Sequence, residues 1–261
     1  MKRKGKRIME QLNIVKAVFA MLLLAFLAYA TIERLDSVVD EVSIIINSRE
    51  DNKKLISEDE IRMMLKKKIG YDITIANNGQ LDLMALEKYL QQDNRIKKAD
   101  IYLDKKNRVK IVISQKEPIV RIEDSAEGDF YLDFEGTRIP LVKDQIVRVP
   151  IVTGHVNKYQ PNYKDDKEHN LNMVLRMAQK VSEDDFLSAL VEQIHIDESD
   201  EIVLIPKMGR TKILFGQIDD LDEKVYKLKT YYRKGIKHIG IDKFDELNIK
   251  YEGQILGVTN T

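Results

Sequence analysis

From Ala17 to Ile32 the chain reads AVFAMLLLAFLAYATI, a run without a charged residue. Ile14 and Val15 extend it to 19 residues, interrupted only by Lys16. The segment is apolar all round, whereas a soluble helix shows one apolar stripe. At about 1.5 Å per residue it reaches about 28 Å, close to the roughly 30 Å core of a bilayer. Lys16 stands near the start, where its stem can snorkel to the interface. The pattern predicts a transmembrane helix over 14–32, after a tail at 1–13. A cleaved signal peptide is the competing reading, because Ala28-Tyr29-Ala30 has the small-x-small form of a cleavage site. Against it, the apolar run continues through that site without Gly or Pro.

A polar linker, 33–41, leads to Val42–Ile46, rich in β-branched residues and read as a strand. Ser57 and Glu60 form a capping box, and Ile61, Met64, Leu65 and Ile69 follow on one helical face before Gly70. A second helix opens at Asp82, with Leu83, Leu86 and Leu90 as its stripe. Ile101 and Leu103 mark a strand, Asp104–Asn107 a turn, and Val109, Ile111 and Ile113 the returning strand. The order strand, helix, helix, strand, strand over 42–117 predicts a small α+β layer pair. Pro118 cannot donate to a ladder and suits an edge or hinge. A β-rich domain, 118–261, is expected beyond it. Its strands are read at Ile119–Glu123, Phe130–Phe134, around Ile146–Val152, Glu192–Ile196, Glu201–Ile205, Lys212–Phe215, Glu246–Tyr251 and Gln254–Val258. Helical spacing links Leu171, Val174, Leu175, Ala178 and Val181. A short helix is expected near Ser182–Leu190. Leu221, Val225, Leu228 and Tyr232 line another, ending near Gly235. Lys224, Lys227, Lys229, Arg233 and Lys234 read as its solvated face, and Tyr159–His169 as a polar loop.

Charge changes this picture at one end. The totals balance, 43 Lys and Arg against 43 Asp and Glu, but residues 1–32 hold six basic groups and one acid. Five Lys and Arg within the first seven residues predict a cytoplasmic N-terminus and an extracytoplasmic body. The rest carries a formal charge of −5, which argues against nucleic acid as its partner. With no cysteine there is no disulfide, thiol nucleophile or Cys-based zinc site.

No catalytic motif emerges. His155, His169, His195 and His238 lack the i+3 to i+5 pairing of helical metal ligands. Phosphate loops, dinucleotide fingerprints, nucleophile elbows and S-x-x-K are absent. The acidic run 219–223 complements a helix N-terminus, and 197–201 reads as a hairpin turn. The expectation is a protein that is not an enzyme, with no cofactor, metal or small-molecule substrate.

Ser114–Ile119, Tyr131-Leu132-Asp133-Phe134-Glu135-Gly136 and Pro150–Gly154 resemble, in order, the POTRA exit, the D-x-x-G hairpin and, without its leucine, the LP-x-x-x-G segment of the bacterial FtsQ/DivIB cell-division family. Asp242-Lys243-Phe244 with Leu247–Leu256 resembles the Bacteroidota branch, although Ile241 stands where that branch carries tryptophan. The resemblance covers essentially the whole chain. It implies a single-pass, non-enzymatic divisome scaffold in the cytoplasmic (inner) membrane, a POTRA-like βααββ domain, and a periplasmic body located at the septum. It also implies a complex with FtsL and FtsB that regulates septal peptidoglycan synthesis by FtsW and FtsI.

The family's FtsB docks by strand addition to the last strand. Here the corresponding residues are Gln254, Ile255, Leu256, Gly257 and Val258, with Tyr251 in the preceding strand. The segment is short, uncharged and free of proline, which suits an acceptor edge. Alternatively, Ile255 and Val258 pack inward and Gly257 serves a bulge. Other readings of the whole chain are a different POTRA-containing envelope assembly or secretion protein, and a cleaved periplasmic hydrolase.

Overall fold

The computed structural model describes residues 16–27, 29, 38–47, 54–125, 127–142 and 146–259. The chain divides into two compact units, 1–47 with 56–114 and 48–55 with 115–261.

Of the expected span 14–32, residues 16–27 and 29 are described, all helical. Phe19, Leu22, Leu24, Phe26 and Tyr29 are exposed. Residues 14, 15, 28 and 30–32 lie outside the described residues, as do the tail 1–13 and positions 33–37 of the linker. Among the described residues no helix is long and apolar enough to cross a membrane.

The first unit runs β1 (Glu41–Asn47), α1 (Glu58–Ile69), α2 (Leu83–Leu90), β2 (Ile96–Leu103) and β3 (Arg108–Gln115). The sheet order is β1-β3-β2, with β1 parallel to β3. Alternate residues Val109, Ile111 and Ile113 face one core with Ile61 and Leu65 of α1 and Leu86 and Leu90 of α2. The helix starts follow the expected caps. Ser57 Oγ accepts the Glu60 amide at 3.2 Å, and Glu60 Oε2 accepts the Ser57 amide at 2.8 Å. Asp82 Oδ1 accepts from Ala85 N at 2.9 Å. Gly70, at φ +89°, closes α1 in the left-handed region that favours glycine.

The second unit contains β4 (Pro118–Ile122), β5 (Phe130–Asp133), β6 (Arg138–Pro140), β7 (Ile151–Gly154), α3 (Leu171–Glu183), α4 (Asp185–Leu190), β8 (Val191–Ile196), β9 (Ile202–Pro206), β10 (Lys212–Gly216), α5 (Leu221–Thr230), α6 (Ile236–Ile239), β11 (Glu246–Asn248) and β12 (Leu256–Val258). These strands make one sheet in the order β12-β11-β10-β9-β8-β7-β4-β5-β6. The neighbours β7–β8 and β10–β11 are parallel. Parallel neighbours need a long crossover, and the chain supplies α3–α4 for the first and α5–α6 for the second. The core joins Val174 and Ala178 of α3, Leu187 of α4 and Val225 and Leu228 of α5 to Ile194, Leu204, Ile213 and Leu247 of the sheet.

Several expectations are corrected. Pro118 opens β4, an interior strand, as its first residue, where a missing donor is tolerated. The expected strand around 146–152 begins only at Ile151. Val147 and Val149 instead pack with Leu55, Tyr131 and Ile139, and the Val147 amide donates to Tyr131 Oη at 3.1 Å. Their alternation therefore reports a covering segment rather than a ladder. The loop 159–169 is not simply polar: Tyr163 is buried, and the rings of Phe130, Tyr159, Tyr163 and His169 form a chain with centroids 5.5–5.7 Å apart. Helical structure does not stop at Gly235. It passes through a π turn, Tyr231–Gly235, and continues to Ile239, because Gly235 leaves room for the Tyr231 ring.

Of the residues expected on a solvated face, Lys227 has a side chain only 10% exposed, and Lys224 is buried. It is 3% exposed, and Nζ donates to Gln217 O and Asp219 Oδ1, both at 2.8 Å, while lying 5.5 Å from the Phe215 ring centre. A buried ammonium persists only with such partners.

Candidate functional site

A sheet edge exposes unpaired backbone donors and acceptors unless something covers them. The two sheets end in β1, β2, β6 and β12. Three of these are guarded. On β1, Arg62 donates to the Val42 carbonyl at 3.2 Å, and the chain just before it bridges to residues 76–77. On β2, Gln91 Nε2 donates to Ala99 O at 3.1 Å and Glu87 Oε1 accepts the Ile101 amide at 2.6 Å. The side chains of Glu87 in α2 and of Gln91, just past its end, thus satisfy the backbone of β2 as a neighbouring strand would. Edge strand β6 is three residues long and ends in Pro140.

β12 is as short as β6, but among the described residues it has no proline, no side chain on its backbone and no segment along its outer side. Its three residues pair antiparallel with β11, Glu246 opposite Val258, Leu247 opposite Gly257 and Asn248 opposite Leu256. Among the described residues no side chain bonds to the backbone of 256–258, and no further strand lies beyond it. Leu256 and Val258 are 43% and 40% exposed. Leu247 and Ile213 are opposite one another and buried in the helix-covered core, so Gly257 shares their side of the sheet. Leu256 and Val258 point to the other side, in line with Asn248 and Leu214. A Cβ on Gly257 would sit 2.6 Å from the Phe244 ring. The glycine therefore makes room for Phe244, and the β11–β12 register is regular, without the bulge considered from sequence.

The six residues singled out in the sequence are distributed unevenly. Leu256, Gly257 and Val258 form the edge strand. Gln254 and Ile255 precede it, Gln254 exposed and Ile255 packed against the main core. Tyr251 is not in β11, which ends at Asn248. It lies on the bend leading to Gly253 and is 52% exposed. Sequence reasoning missed the guards Arg62, Glu87 and Gln91, because charged and amide residues on a helix carry no signal of what backbone they meet.

Three of the four histidines have structural partners. His155 Nδ1 lies 3.2 Å from Asp200 Oδ1, His169 Nε2 3.1 Å from Lys158 O, and His195 Nδ1 2.9 Å from Thr153 Oγ1. Among the described residues no group of three or more His, Asp or Glu is placed to hold a metal. Burial pushes the Asp133 carboxyl up, yet its Oδ1 accepts the Thr137 amide at 2.6 Å as the cap of a turn. Gly154, at φ +93°, runs against strand β8: a Cβ there would lie 2.0 Å from Ile196 O.

A family model described as FtsQ/DivIB, C-terminal related, matches residues 117–258, and a POTRA-like domain model matches residues 37–114. No curated protein matches the chain.

Proposed function

The chain belongs to the FtsQ/DivIB family, and on that premise we propose that it is a membrane-anchored divisome scaffold whose β12 edge receives a strand of an FtsB-like partner. The family's domains are those of a non-enzymatic division scaffold acting in protein complexes. The observation that carries the finer reading is the contrast among edges: β1, β2 and β6 are guarded, and β12 is bare. A partner strand there gains main-chain hydrogen bonds, while its alternate side chains meet Leu256 and Val258 on one side and Phe244 on the other. An FtsL-like protein joins the same complex, and FtsW and FtsI feel it indirectly.

The anchor is residues 14–32, with the N-terminus cytoplasmic, the body periplasmic and the protein gathered at the septum. Support comes from the exposed apolar side chains of the described helix at 16–27 and from the basic cluster before it.

A fluorescent fusion of the full chain is expected at midcell, and depletion is expected to give filaments. Leu256→Lys adds a charged edge guard on an exposed side chain and is expected to abolish co-purification of the FtsB-like partner. Leu256→Pro attacks the backbone directly, with circular dichroism confirming folding. Uniform envelope fluorescence with normal division on depletion overturns the scaffold reading. Undiminished partner recovery with Leu256→Lys overturns the docking edge.

A further inference from the structure

The turn that enters β12 is held from one side of α5. Glu223 Oε1 accepts the Gly253 amide at 3.1 Å. One helical turn later, Lys227 Nζ donates to the Tyr251 carbonyl. The two side chains also pair with each other at 3.5 Å, and the Lys227 side chain is only 10% exposed. One acceptor and one donor, at i and i+4, therefore engage one N–H and one C=O of the same bend. Gly253, at φ +67°, has no atom within 4 Å of the place where a Cβ would stand, so packing does not fix it. β12 is otherwise placed by its ladder with β11, by Ile255 against the core and by Gly257 over the Phe244 ring, so the turn sets how the chain enters it.

We infer that Glu223 and Lys227 are positioning residues for the docking edge: they fasten the 251–253 turn and thereby hold β12 in register for an incoming strand. This rests on the proposed role of β12. A strand-acceptor already ordered loses less entropy on binding than one that must be ordered by its partner. Both side chains act through backbone groups, so the identity of Tyr251 is secondary to its carbonyl.

The test uses the full-length chain in detergent, with the FtsB-like partner co-expressed. Two variants are compared, Glu223→Ala with Lys227→Ala, and the reversal Glu223→Lys with Lys227→Glu. The reversal keeps an ion pair on α5 but sets a donor against the Gly253 amide and an acceptor against the Tyr251 carbonyl. Hydrogen exchange at Gly253 and at the β12 amides that pair with β11 is expected to accelerate about tenfold in both variants, and partner recovery to fall by a similar factor. Amides of β8 and β9 are expected to keep their protection, which a general loss of stability would not allow. Unchanged exchange at β12 in the double alanine variant overturns the inference. So does a reversal that behaves as wild type, since the ion pair alone would then suffice. If wild-type chain recovers no partner while β12 exchange still responds, the docking role fails and the fastening stands.

Discussion

Substituting Gly136 tests the turn that opens the β domain. Gly136 sits at φ +73°, and a Cβ there would lie 2.2 Å from Tyr163 Oη and 2.6 Å from Leu175 Cδ2. Gly136→Ala therefore adds two penalties. The left-handed backbone costs about 1–2 kcal/mol for a residue with a Cβ, and overpacking about 1–3 kcal/mol. The expected loss is about 2–5 kcal/mol. Tyr163 is fully buried and its hydroxyl donates to Gly136 O at 3.1 Å, so Tyr163→Phe alone costs about 1 kcal/mol. In the double variant the closest clash has gone while the backbone penalty remains. The combined loss should then fall short of the sum by about 1–2 kcal/mol. Native-state hydrogen exchange at the amides of β4 and β5, in increasing urea, reads this unit without requiring the whole chain to unfold in one step. Losses that add within about 0.5 kcal/mol would refute the reasoning, because the hydroxyl would then not be what the new methyl meets.

Burial, reinforced by Tyr159 and Asp133, pushes Tyr163 up to about 12, and burial with Tyr231 and Asp242 does the same for Tyr232. Each folded value exceeds the ordinary value of 10.0, so stability should hold below pH 10 and fall between pH 10 and 12. Tyr163→Phe should flatten that fall in an alkaline titration followed by circular dichroism. In the first unit, burial works to raise Glu60, but Arg95 and Ser57 outweigh it and hold the carboxyl below its ordinary 4.5. Its contribution is present above pH 4.5 and lost as pH drops through the lowered folded value, so Arg95→Ala should move acid unfolding of this unit to higher pH. Removing the β2 guards with Glu87→Ala and Gln91→Ala should bare Ala99 O and Ile101 N and increase concentration-dependent self-association over that of the wild-type chain in analytical ultracentrifugation.

Local rules were legible wherever one residue acts on its own neighbours. The Ser57–Glu60 box, the Asp82 cap and the Gly70 terminus all use contacts within four residues, so their residue types suffice. Period-two alternation at Val109, Ile111 and Ile113 likewise announced a strand with one buried side. Reading failed where the partner is remote. Val147 and Val149 alternate as a strand does, but they cover Tyr131 and Ile139. Lys224 looks like any surface lysine, until the chain brings Gln217, Asp219 and Phe215 around it.

The same division applies to the docking edge. A short, uncharged, proline-free segment marked 254–258 as an acceptor edge, and the residue pattern carried the family resemblance. Only the fold placed β12 at the end of a nine-stranded sheet, moved Tyr251 off β11 onto a bend, and turned Ile255 into the core. It alone set Glu87 and Gln91 against β2 and left β12 bare. Composition and periodicity specify which side a residue prefers to bury, whereas whether a backbone edge is free depends on what long-range contacts bring beside it.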